Sequence, residues 1–397
     1  MNVAPKETIA LSRLAVLVAF FINGTLMATW VSRIPAIQTK MGLSEGALGL
    51  TLLGMSAGVL VALFLAGGLI VRFGSPNVTA AGAIVMCLTL PLVALAPNVV
   101  MLWVTLFVFG GAISVMDVAM NEQAVLVERN MGRPLMSSFH AAFSIGGLTG
   151  ALIGAGMASL PIMTLLPHFA LVGLAASLVM VFVYRHLLPV KREAQKNNPV
   201  FRLPERALWI LGIIAFCTAI GEGAMADWSG VYLTQALQTS AAFAALGFAA
   251  FSMTMTIGRL FGDKLTASWN SVSIVRFGGL IAALGCSAAI LATEPVVVLV
   301  GFAAIGLGLA NIIPLAFSAA GNHPGIPTGV GIASVATIGY AGFLAGPPVI
   351  GLIAEATSLR IAFILVAVLI GSLFFTANAV SPSVGQAAID SEIESSG

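Results

Sequence analysis

Twelve separate apolar runs, each near the length that a helix needs to cross a lipid bilayer, constrain this chain more than any other feature. The hydrocarbon core of a bilayer is spanned by roughly 20 residues of α-helix. Only 8% of the residues are charged, against about 25% in soluble domains. The sequence therefore predicts an all-α membrane protein with spans near 11–33, 46–71, 78–96, 99–122, 135–158, 161–184, 207–234, 240–263, 271–293, 295–319, 327–354 and 358–380.

Positive charge is distributed unevenly between the two ends of these predicted helices. Lys- and Arg-rich loops stay in the cytoplasm, and with a cytoplasmic N-terminus only Arg33, Lys40 and Arg360 fall outside. We therefore expect both termini to be cytoplasmic. The predicted organisation is an N-terminal six-helix bundle (1–184), a cytoplasmic linker (185–206), a C-terminal six-helix bundle (207–380) and a flexible cytoplasmic tail (381–397).

Composition and motif context disfavour several function classes. The net charge of +2 lacks the clustered basic face that nucleic acid requires. The three cysteines lie far apart inside apolar runs, so we expect no metal site and no cofactor. One G-x-S-x-G match, at 54–58, lies inside a predicted helix, whereas a nucleophile elbow needs a strand-turn-helix context. We therefore do not expect an enzyme.

The two halves of the sequence repeat each other. At an offset of about 198 residues, Met27 to Trp30 aligns with Met225 to Trp228. At an offset of about 196 residues, Gly146 and Gly150 align with Gly342 and Gly346. The glycine ladder Gly146, Gly150, Gly154 is typical of close helix packing. Because each half has six helices, the copies enter the membrane from the same side, which predicts two parallel repeats.

Four segments carry a resemblance to a known family. They are Leu26 to Trp30 with Arg33 to Ile37, Asp117 to Asn121, Glu222 to Trp228, and Gly339 to Pro348. On these segments the chain resembles the major facilitator superfamily, and most closely its YbjJ branch of bacterial inner-membrane proteins. The resemblance implies a transporter of the bacterial inner membrane that works by alternating access, with helices one, four, seven and ten lining a central cavity.

The loop signature of that superfamily, which comes after helix two, is only partly matched. Residues 67–74 contain its glycines and Arg72, but Val71 stands where an acid is expected. The second half has Arg259 and Asp263, four residues apart, a spacing at which side chains pair along one helix face. The resemblance implies gating roles for Arg72, Arg259 and Asp263.

Polar and aromatic residues occur on each of the four helices that the resemblance assigns to the cavity. A polar residue inside a membrane helix usually faces a partner or a water-filled cavity. Trp30 and Trp228 are repeat partners, which is typical either of a cavity wall or of an aromatic belt at the outer interface. Tyr340 fits a cavity hydroxyl or an ordinary packed tyrosine equally well. The predicted substrate cavity consists of Asn23, Met27, Trp30, Asn121, Trp228, Asn311 and Tyr340.

Acidic residues and a histidine provide candidates for proton coupling. Glu222 lies near the predicted midplane, where a carboxyl that binds and releases protons is the functional interpretation and a fixed hydrogen bond to a neighbouring helix is the structural one. Asp117 and His140 fit a proton relay or a structural hydrogen bond between helices four and five. Arg33 and Asp227 are predicted to form an outer-gate ion pair.

The charge pattern also limits the substrate. No Lys or Arg falls in the central third of any predicted helix, which disfavours anionic substrates. We therefore predict a secondary active, proton-coupled transporter of a small neutral or cationic organic solute, with a sugar-like solute favoured and with protons and the lipid bilayer as partners. The first alternative is proton-driven drug efflux, because 146–154 resembles the glycine-rich motif of such antiporters, although Ala151 takes its proline position. The second is a non-transporting membrane sensor or scaffold.

Overall fold

A computed structural model describes residues 6–131, 135–189, 206–326 and 328–381. Within these ranges, twelve helical segments are long and apolar enough to cross a membrane, which confirms the predicted all-α membrane fold. Residues 190–205 of the predicted linker and 382–397 of the predicted tail lie outside the described residues. The helices are α1 (Lys6–Val31), α2 (Ile34–Met41), α3 (Glu45–Phe73), α4 (Ser75–Leu95), α5 (Val99–Met131), α6 (Met136–Ala158), α7 (Leu165–Tyr184), α8 (Trp209–Leu237), α9 (Ala241–Trp269), α10 (Ser271–Leu291), α11 (Pro295–Leu309), α12 (Ile312–Gly321), α13 (Thr328–Ala356), α14 (Leu359–Gly371) and α15 (Leu373–Thr376).

Successive spans run in opposite directions, so α1 and α8 both begin at one end of the bundle. We call this end the terminal face; it also holds the α3–α4 turn and the end of α7. The opposite end, with the α1–α2 and α6–α7 connections, is the distal face. The depth of a residue is its position along a helix between these two faces.

The turns preserve the sequence repeat as backbone geometry. Gly42 and Gln238, which are 196 residues apart, end α2 and α8 with φ values of 61° and 57°. Gly74 and Asn270 have the same offset, and they join α3 to α4 and α9 to α10 with φ values of 83° and 61°. A positive φ is uncommon for a non-glycine residue, so its occurrence at Gln238 and Asn270, the positions that correspond to Gly42 and Gly74, shows that the two halves share their turn geometry.

Two helices run well beyond their predicted spans, and one predicted span is interrupted. The span predicted at 99–122 continues to Met131, and the span predicted at 240–263 continues to Trp269. Both extensions carry polar residues, which a helix tolerates once it has left the hydrocarbon core. The span predicted at 295–319 is interrupted at Ala310 and Asn311, between α11 and α12.

Small residues set the packing between helices. Within the halves, α1 packs on α6 and α8 on α13, while α3 with α13 and α6 with α9 join the halves. A Cβ at Gly146 would clash with the carbonyl oxygen of Phe21 on α1, and one at Gly342 would lie 2.6 Å from that of Phe216 on α8. The predicted close packing of this glycine ladder is therefore confirmed.

The halves are pressed together near the distal face. A Cβ at Gly49 on α3 would lie 2.5 Å from the carbonyl oxygen of Pro347 on α13. A Cβ at Gly230 on α8 would lie 3.1 Å from Cγ of Pro35 on α2. These close approaches, one to a backbone carbonyl and one to a proline ring, close the distal side of the bundle in this conformation.

Candidate functional site

An ion pair between two neighbouring helices lies near the middle of the bundle. Nη2 of Arg259 on α9 is 3.6 Å from Oε1 of Glu222 on α8, and the two side chains are 33% and 17% exposed. Glu222 is thirteen residues from the start of α8 at Trp209 and fifteen from its end at Leu237, or about 20 Å and about 22 Å along the axis. The pair of Arg259 and Glu222 is the one ion pair recorded within the described ranges. It places a carboxylate at the midplane.

Arg259 is also bonded to the interrupted span. Its Nε donates to the carbonyl oxygen of Ala310 at 3.3 Å, which satisfies a carbonyl at the break between α11 and α12. Asn311 Nδ2 donates in return to the carbonyl oxygen of Gly258 at 3.0 Å. Arg259 thus links α8, α9 and the break, and Asn311, predicted as cavity lining, uses its amide nitrogen to join two helices.

The side chain of Arg259 corrects one sequence expectation. Because α9 runs from Ala241 to Trp269, Arg259 is eighteen residues from its start and ten from its end. Arg259 itself lies near the end of the apolar span Ala241–Gly262, as the expectation for Lys and Arg requires, but its guanidinium reaches the carboxylate of Glu222, so a basic group is available at mid-depth after all. The structure pairs Arg259 with Glu222; the predicted partner Asp263 has its side chain outside the described set, so its gating role stays a prediction.

The first half presents a second group of polar residues to the space between the halves. Asn121 Nδ2 donates to Oδ1 of Asp117 at 3.2 Å and to its carbonyl oxygen at 2.8 Å, while the Asp117 side chain remains exposed. Asp117 on α5 interacts electrostatically with Tyr340 on α13, and Arg259 acts in the same way on the exposed His140 of α6. Charged and polar groups of the two halves therefore lie close enough to interact.

The predicted contact between Asp117 and His140 is not formed. The structure records no hydrogen bond between these two described side chains; His140 instead packs edge-on against Phe20, with 5.3 Å between ring centroids. The relay and the structural hydrogen bond are thus both absent as direct contacts in this conformation. Tyr340 is 39% exposed, which fits the hydroxyl interpretation better than that of a packed core residue.

The two repeat-related tryptophans are enclosed. Trp30 and Trp228 are 1% and 0% exposed, so neither forms a lipid-facing belt, and neither lines open space in this conformation. A Cβ at Gly351 would lie 3.1 Å from the Trp228 ring, which places that ring under the distal closure. Met27 is half-buried beside them on α1.

Among the residues predicted to line the cavity, three buried nitrogen donors lack acceptors in the described part of the chain: Asn23 Nδ2, Trp30 Nε1 and Trp228 Nε1. Buried donors are almost always hydrogen-bonded, because leaving one unpaired costs about 1 to 3 kcal/mol. These donors are therefore suited to a polar guest or to water.

The predicted outer-gate pair is not present. Nη2 of Arg33 donates to the carbonyl oxygen of Met163, in the α6–α7 connection, at 3.3 Å, and the ion pair to Asp227 on α8 is not formed. Arg33 is only 6% exposed and is directed into its own half. The gating roles of Arg33 and Asp227 stay predictions without this contact.

Another carboxylate takes part in the distal closure, and sequence reasoning missed it. Oε2 of Glu355, near the end of α13, lies where a Cβ of Gly46 would stand, over the first turn of α3. An acid at a helix N-terminus is favoured by the exposed N–H groups and by the helix dipole. No local signal marks this contact, because its two partners are 309 positions apart in the chain.

Arg72 and Val71, which belong to the partly matched loop signature, lie near the end of α3 at the terminal face. Arg72 is exposed and lies over the ring of Phe73, with 5.1 Å between its guanidinium carbon and the ring centroid. Val71, at the expected acid position, is 49% exposed. A gating role for Arg72 stays a prediction. Within the described ranges, no group of three or more His, Cys, Asp and Glu residues is placed to hold a metal ion.

Comparisons with known proteins agree on a transporter fold. A point mutant of the nucleoside transporter NupG superposes with a TM-score of 0.76 at 12% identity, covering 92% of this chain and 99% of that one. A bacterial homologue of the human lysosomal transporter Spinster, solved inward-facing and occupied, has a TM-score of 0.69 at 15% identity, with coverages of 95% and 97%. These two structures share the fold.

Sequence relatives give the family. An uncharacterized MFS-type transporter of Yersinia pestis is 36% identical over 364 residues, which is 91% of this chain and 94% of the relative. The membrane protein MosC of Rhizobium meliloti is 34% identical over 356 residues, with coverages of 89% and 86%. The model of the Major Facilitator Superfamily matches residues 14–336. This chain therefore belongs to the Major Facilitator Superfamily of membrane transporters.

Proposed function

We propose that the protein is a proton-coupled secondary active transporter of a small neutral or cationic organic solute, working by alternating access. The observation that carries the proposal is the ion pair of Glu222 and Arg259 at the midplane. Arg259 of this pair also interacts electrostatically with the exposed His140 of the first half, and the exposed Asp117 of the first half interacts with Tyr340 of the second.

The geometry of the pair suits a reversible proton site. Glu222 Oε1 has no hydrogen bond among the described residues, so only charge at 3.6 Å holds it to Arg259. Protonation of Glu222 removes that attraction, while Arg259 keeps its bond to Ala310 at the helix break. Binding of a proton therefore weakens the attraction between α8 and α9, and through Arg259 it also weakens the connection of α8 to the break between α11 and α12. Proton coupling requires such a link between protonation and the contacts between helices.

The charges of Arg259, Glu222 and Asp117 favour a neutral or cationic solute. Arg259 is balanced by Glu222, and Asp117 has no cation within 4 Å among the described side chains. The unpaired donors of Asn23, Trp30 and Trp228 suit the oxygen acceptors of a polyhydroxylated molecule. NupG is a nucleoside transporter, and a nucleoside carries a sugar, so the fold comparison supports the sugar-like class.

The orientation is assigned from charge. We assign the terminal face to the cytoplasm of a bacterial inner membrane, because Lys and Arg are concentrated there. The distal contacts of α3 with α13 then correspond to an outer gate that is closed in this conformation. Within the superfamily, we place the chain in the YbjJ branch on the motifs around Trp30, Asp117, Glu222 and Tyr340.

The test is uptake into proteoliposomes under an imposed proton gradient. The probes are uridine, glucose and tetraphenylphosphonium, and the variant is Glu222→Gln, which keeps the shape but cannot ionise. We expect uridine or glucose to accumulate with the wild type and the variant to lose that accumulation. Glu294→Gln, at an exposed carboxylate before α11, is the matched control and should keep it.

Three other results of this experiment would each support a different function. Equal accumulation by Glu222→Gln and the wild type contradicts proton coupling through this residue. Proton-driven extrusion of tetraphenylphosphonium alone indicates drug efflux. A folded protein that neither moves nor is stabilised by any probe indicates a sensor or scaffold, because selective binding raises the melting temperature.

A further inference from the structure

Two adjoining cavities lie between α4 and α7 on the side of the first half. The inner cavity, of about 210 Å³, is apolar except at one end and is lined by Asn77, Ala80, Ile84, Met180, Val181 and Tyr184. The outer cavity, of about 420 Å³, lies at the terminal face and is lined by Phe73, Gly74, Pro76, Asn77, Tyr184, Arg185, Leu187 and Pro189. They share Asn77 and Tyr184, so they form one groove that runs from an apolar interior to a polar end.

The polar end of this groove carries positive charge. Arg185 lines the outer cavity, and its guanidinium carbon lies 4.5 Å from the centroid of the Phe182 ring. Within the described ranges, no carboxylate lies within 4 Å of it. The hydroxyl of Tyr184 donates to Oδ1 of Asn77 where the two cavities meet. The groove therefore ends in an arginine that lacks an acidic partner in the described chain.

The groove opens sideways. Val181 and Phe182 on α7 are 67% and 62% exposed, and in a membrane protein such apolar exposure faces lipid. The inner cavity is smaller than the roughly 300 to 1,000 Å³ of pockets for drug-sized ligands. Its narrow apolar shape suits a hydrocarbon chain.

In the second half, an arginine side chain occupies the position that corresponds to Ala80 in the groove. At the 196-residue offset of the repeat, Ala80 on α4 aligns with Arg276 on α10. Nη2 of Arg276 donates to Oδ1 of Asn378 at 2.8 Å, and its guanidinium carbon lies 5.7 Å from the centroid of the Phe374 ring. The small side chain at position 80 leaves room for the groove in the first half, while the arginine of the second half is already paired.

We propose that the groove between α4 and α7 is a binding site for an anionic phospholipid. One acyl chain lies in the inner cavity, and the phosphate lies at Arg185 in the leaflet of the terminal face. Basic pockets between transmembrane helices on the cytoplasmic side are suited to anionic headgroups. The site is separate from the midplane ion pair and does not depend on the proposed transport function.

The experiment measures binding by thermal unfolding of the purified full chain in detergent. The lipids are dioleoyl phosphatidylglycerol and dioleoyl phosphatidylcholine, which share acyl chains and differ in charge; glycerol 3-phosphate and inorganic phosphate test the headgroup alone. We expect phosphatidylglycerol to raise the melting temperature of the wild type well above the value with phosphatidylcholine. The two water-soluble phosphates should not reproduce that rise.

Variants separate the two parts of the groove. Arg185→Gln is expected to bind phosphatidylglycerol about fivefold more weakly, and Ala80→Leu should weaken both lipids by filling the inner cavity. Arg276→Gln, at the paired arginine of the second half, is the matched control and should bind phosphatidylglycerol like the wild type.

The proposal is overturned if the two lipids stabilise the wild type equally, if Arg185→Gln keeps the full preference for phosphatidylglycerol, or if inorganic phosphate alone gives the same rise. An equal loss in Arg185→Gln and Arg276→Gln also overturns it, because the preference would then come from general surface charge.

Discussion

The first and second halves of the molecule share a backbone design but carry different groups at mid-depth. The positive φ values of Gly42 and Gly74 recur at the corresponding residues Gln238 and Asn270. In contrast, the second half holds an Arg–Glu pair, whereas the first half exposes Asp117, whose carboxylate is bonded by an amide. The repeat thus conserves turns and close packing, while the polar groups have diverged between the halves.

The largest effect is expected where the shared packing is broken. Gly146→Val places a branched side chain against the carbonyl oxygen of Phe21. To accommodate it, α1 and α6 would have to move apart, which would break their interface. We expect loss of folded protein, measured by size-exclusion chromatography and thermal unfolding. Gly342→Val should have a smaller effect, because its nearest carbonyl oxygen lies 2.6 Å away.

The control for this comparison is Gly67→Ala on α3, whose Cβ position has no other atom within 4 Å. This variant should fold and unfold like the wild type. If Gly146→Val were as stable as Gly67→Ala, the close approach of α1 and α6 would be wrong.

The next effect concerns the pair that distinguishes the second half. Arg259→Gln removes the partner of Glu222 and weakens the bond to Ala310. Because the pair is only partly buried, we expect a loss of about 1 to 3 kcal/mol, below the value for a fully buried pair. Thermal unfolding at neutral pH measures it. The double variant Glu222→Gln/Arg259→Gln should regain part of this loss, because it has no unpaired charge; a double variant less stable than Arg259→Gln would contradict the pairing.

A comparable effect is expected at a network that only the first half has. Gln123 Nε2 donates to Oγ of Ser75 at 2.8 Å and to the carbonyl oxygen of Leu188 at 2.9 Å. In return, the backbone N–H of Leu188 donates to Oε1 of Gln123 at 2.8 Å. Gln123→Leu leaves these buried groups unpaired and should cost about 1 to 3 kcal/mol. The second half has Ala319 at this repeat position, so Ala319→Leu is the control. Equal losses from the two variants would reject a network-specific effect.

The smallest effect tests the shared design of the turns. Ser44 caps α3 and Ser240 caps α9, and each hydroxyl accepts a hydrogen bond at 3.3 Å from the backbone N–H three residues on. Ser44→Ala and Ser240→Ala should each cost about 1 kcal/mol, in equal measure because the two sites correspond. Unfolding of each variant and of the double variant checks this; strongly unequal losses would show that the halves differ at their caps as well.

The sequence predicted the spans and the repeat because both depend on local patterns. Long apolar runs identify membrane helices, and glycine positions that recur at one offset show the duplication. The short helix α2 was missed because it lies between two predicted spans, and the break at Asn311 was missed because it does not interrupt the apolar run. The continuation of α9 to Trp269 was also missed, and so was the reach of the Arg259 side chain to Glu222 at mid-depth.

Side-chain partners were harder to predict, because they depend on which helix faces which. Trp30 and Trp228 are buried by the contact between halves, and no local pattern distinguishes that from a belt. Arg33 was predicted to reach Asp227, but it bonds to Met163 in its own half. Glu222 was recognised from its depth alone, while its partner on α9 required the structure.

The most direct test of the central claim compares two modes of transport in the same proteoliposomes. Exchange of labelled for unlabelled solute needs binding and alternating access but no net proton movement, whereas accumulation under a proton gradient needs coupling. We predict that Glu222→Gln retains exchange of the uridine or glucose that the wild type transports and loses its accumulation. Accumulation by Glu222→Gln at the wild-type level would contradict the account.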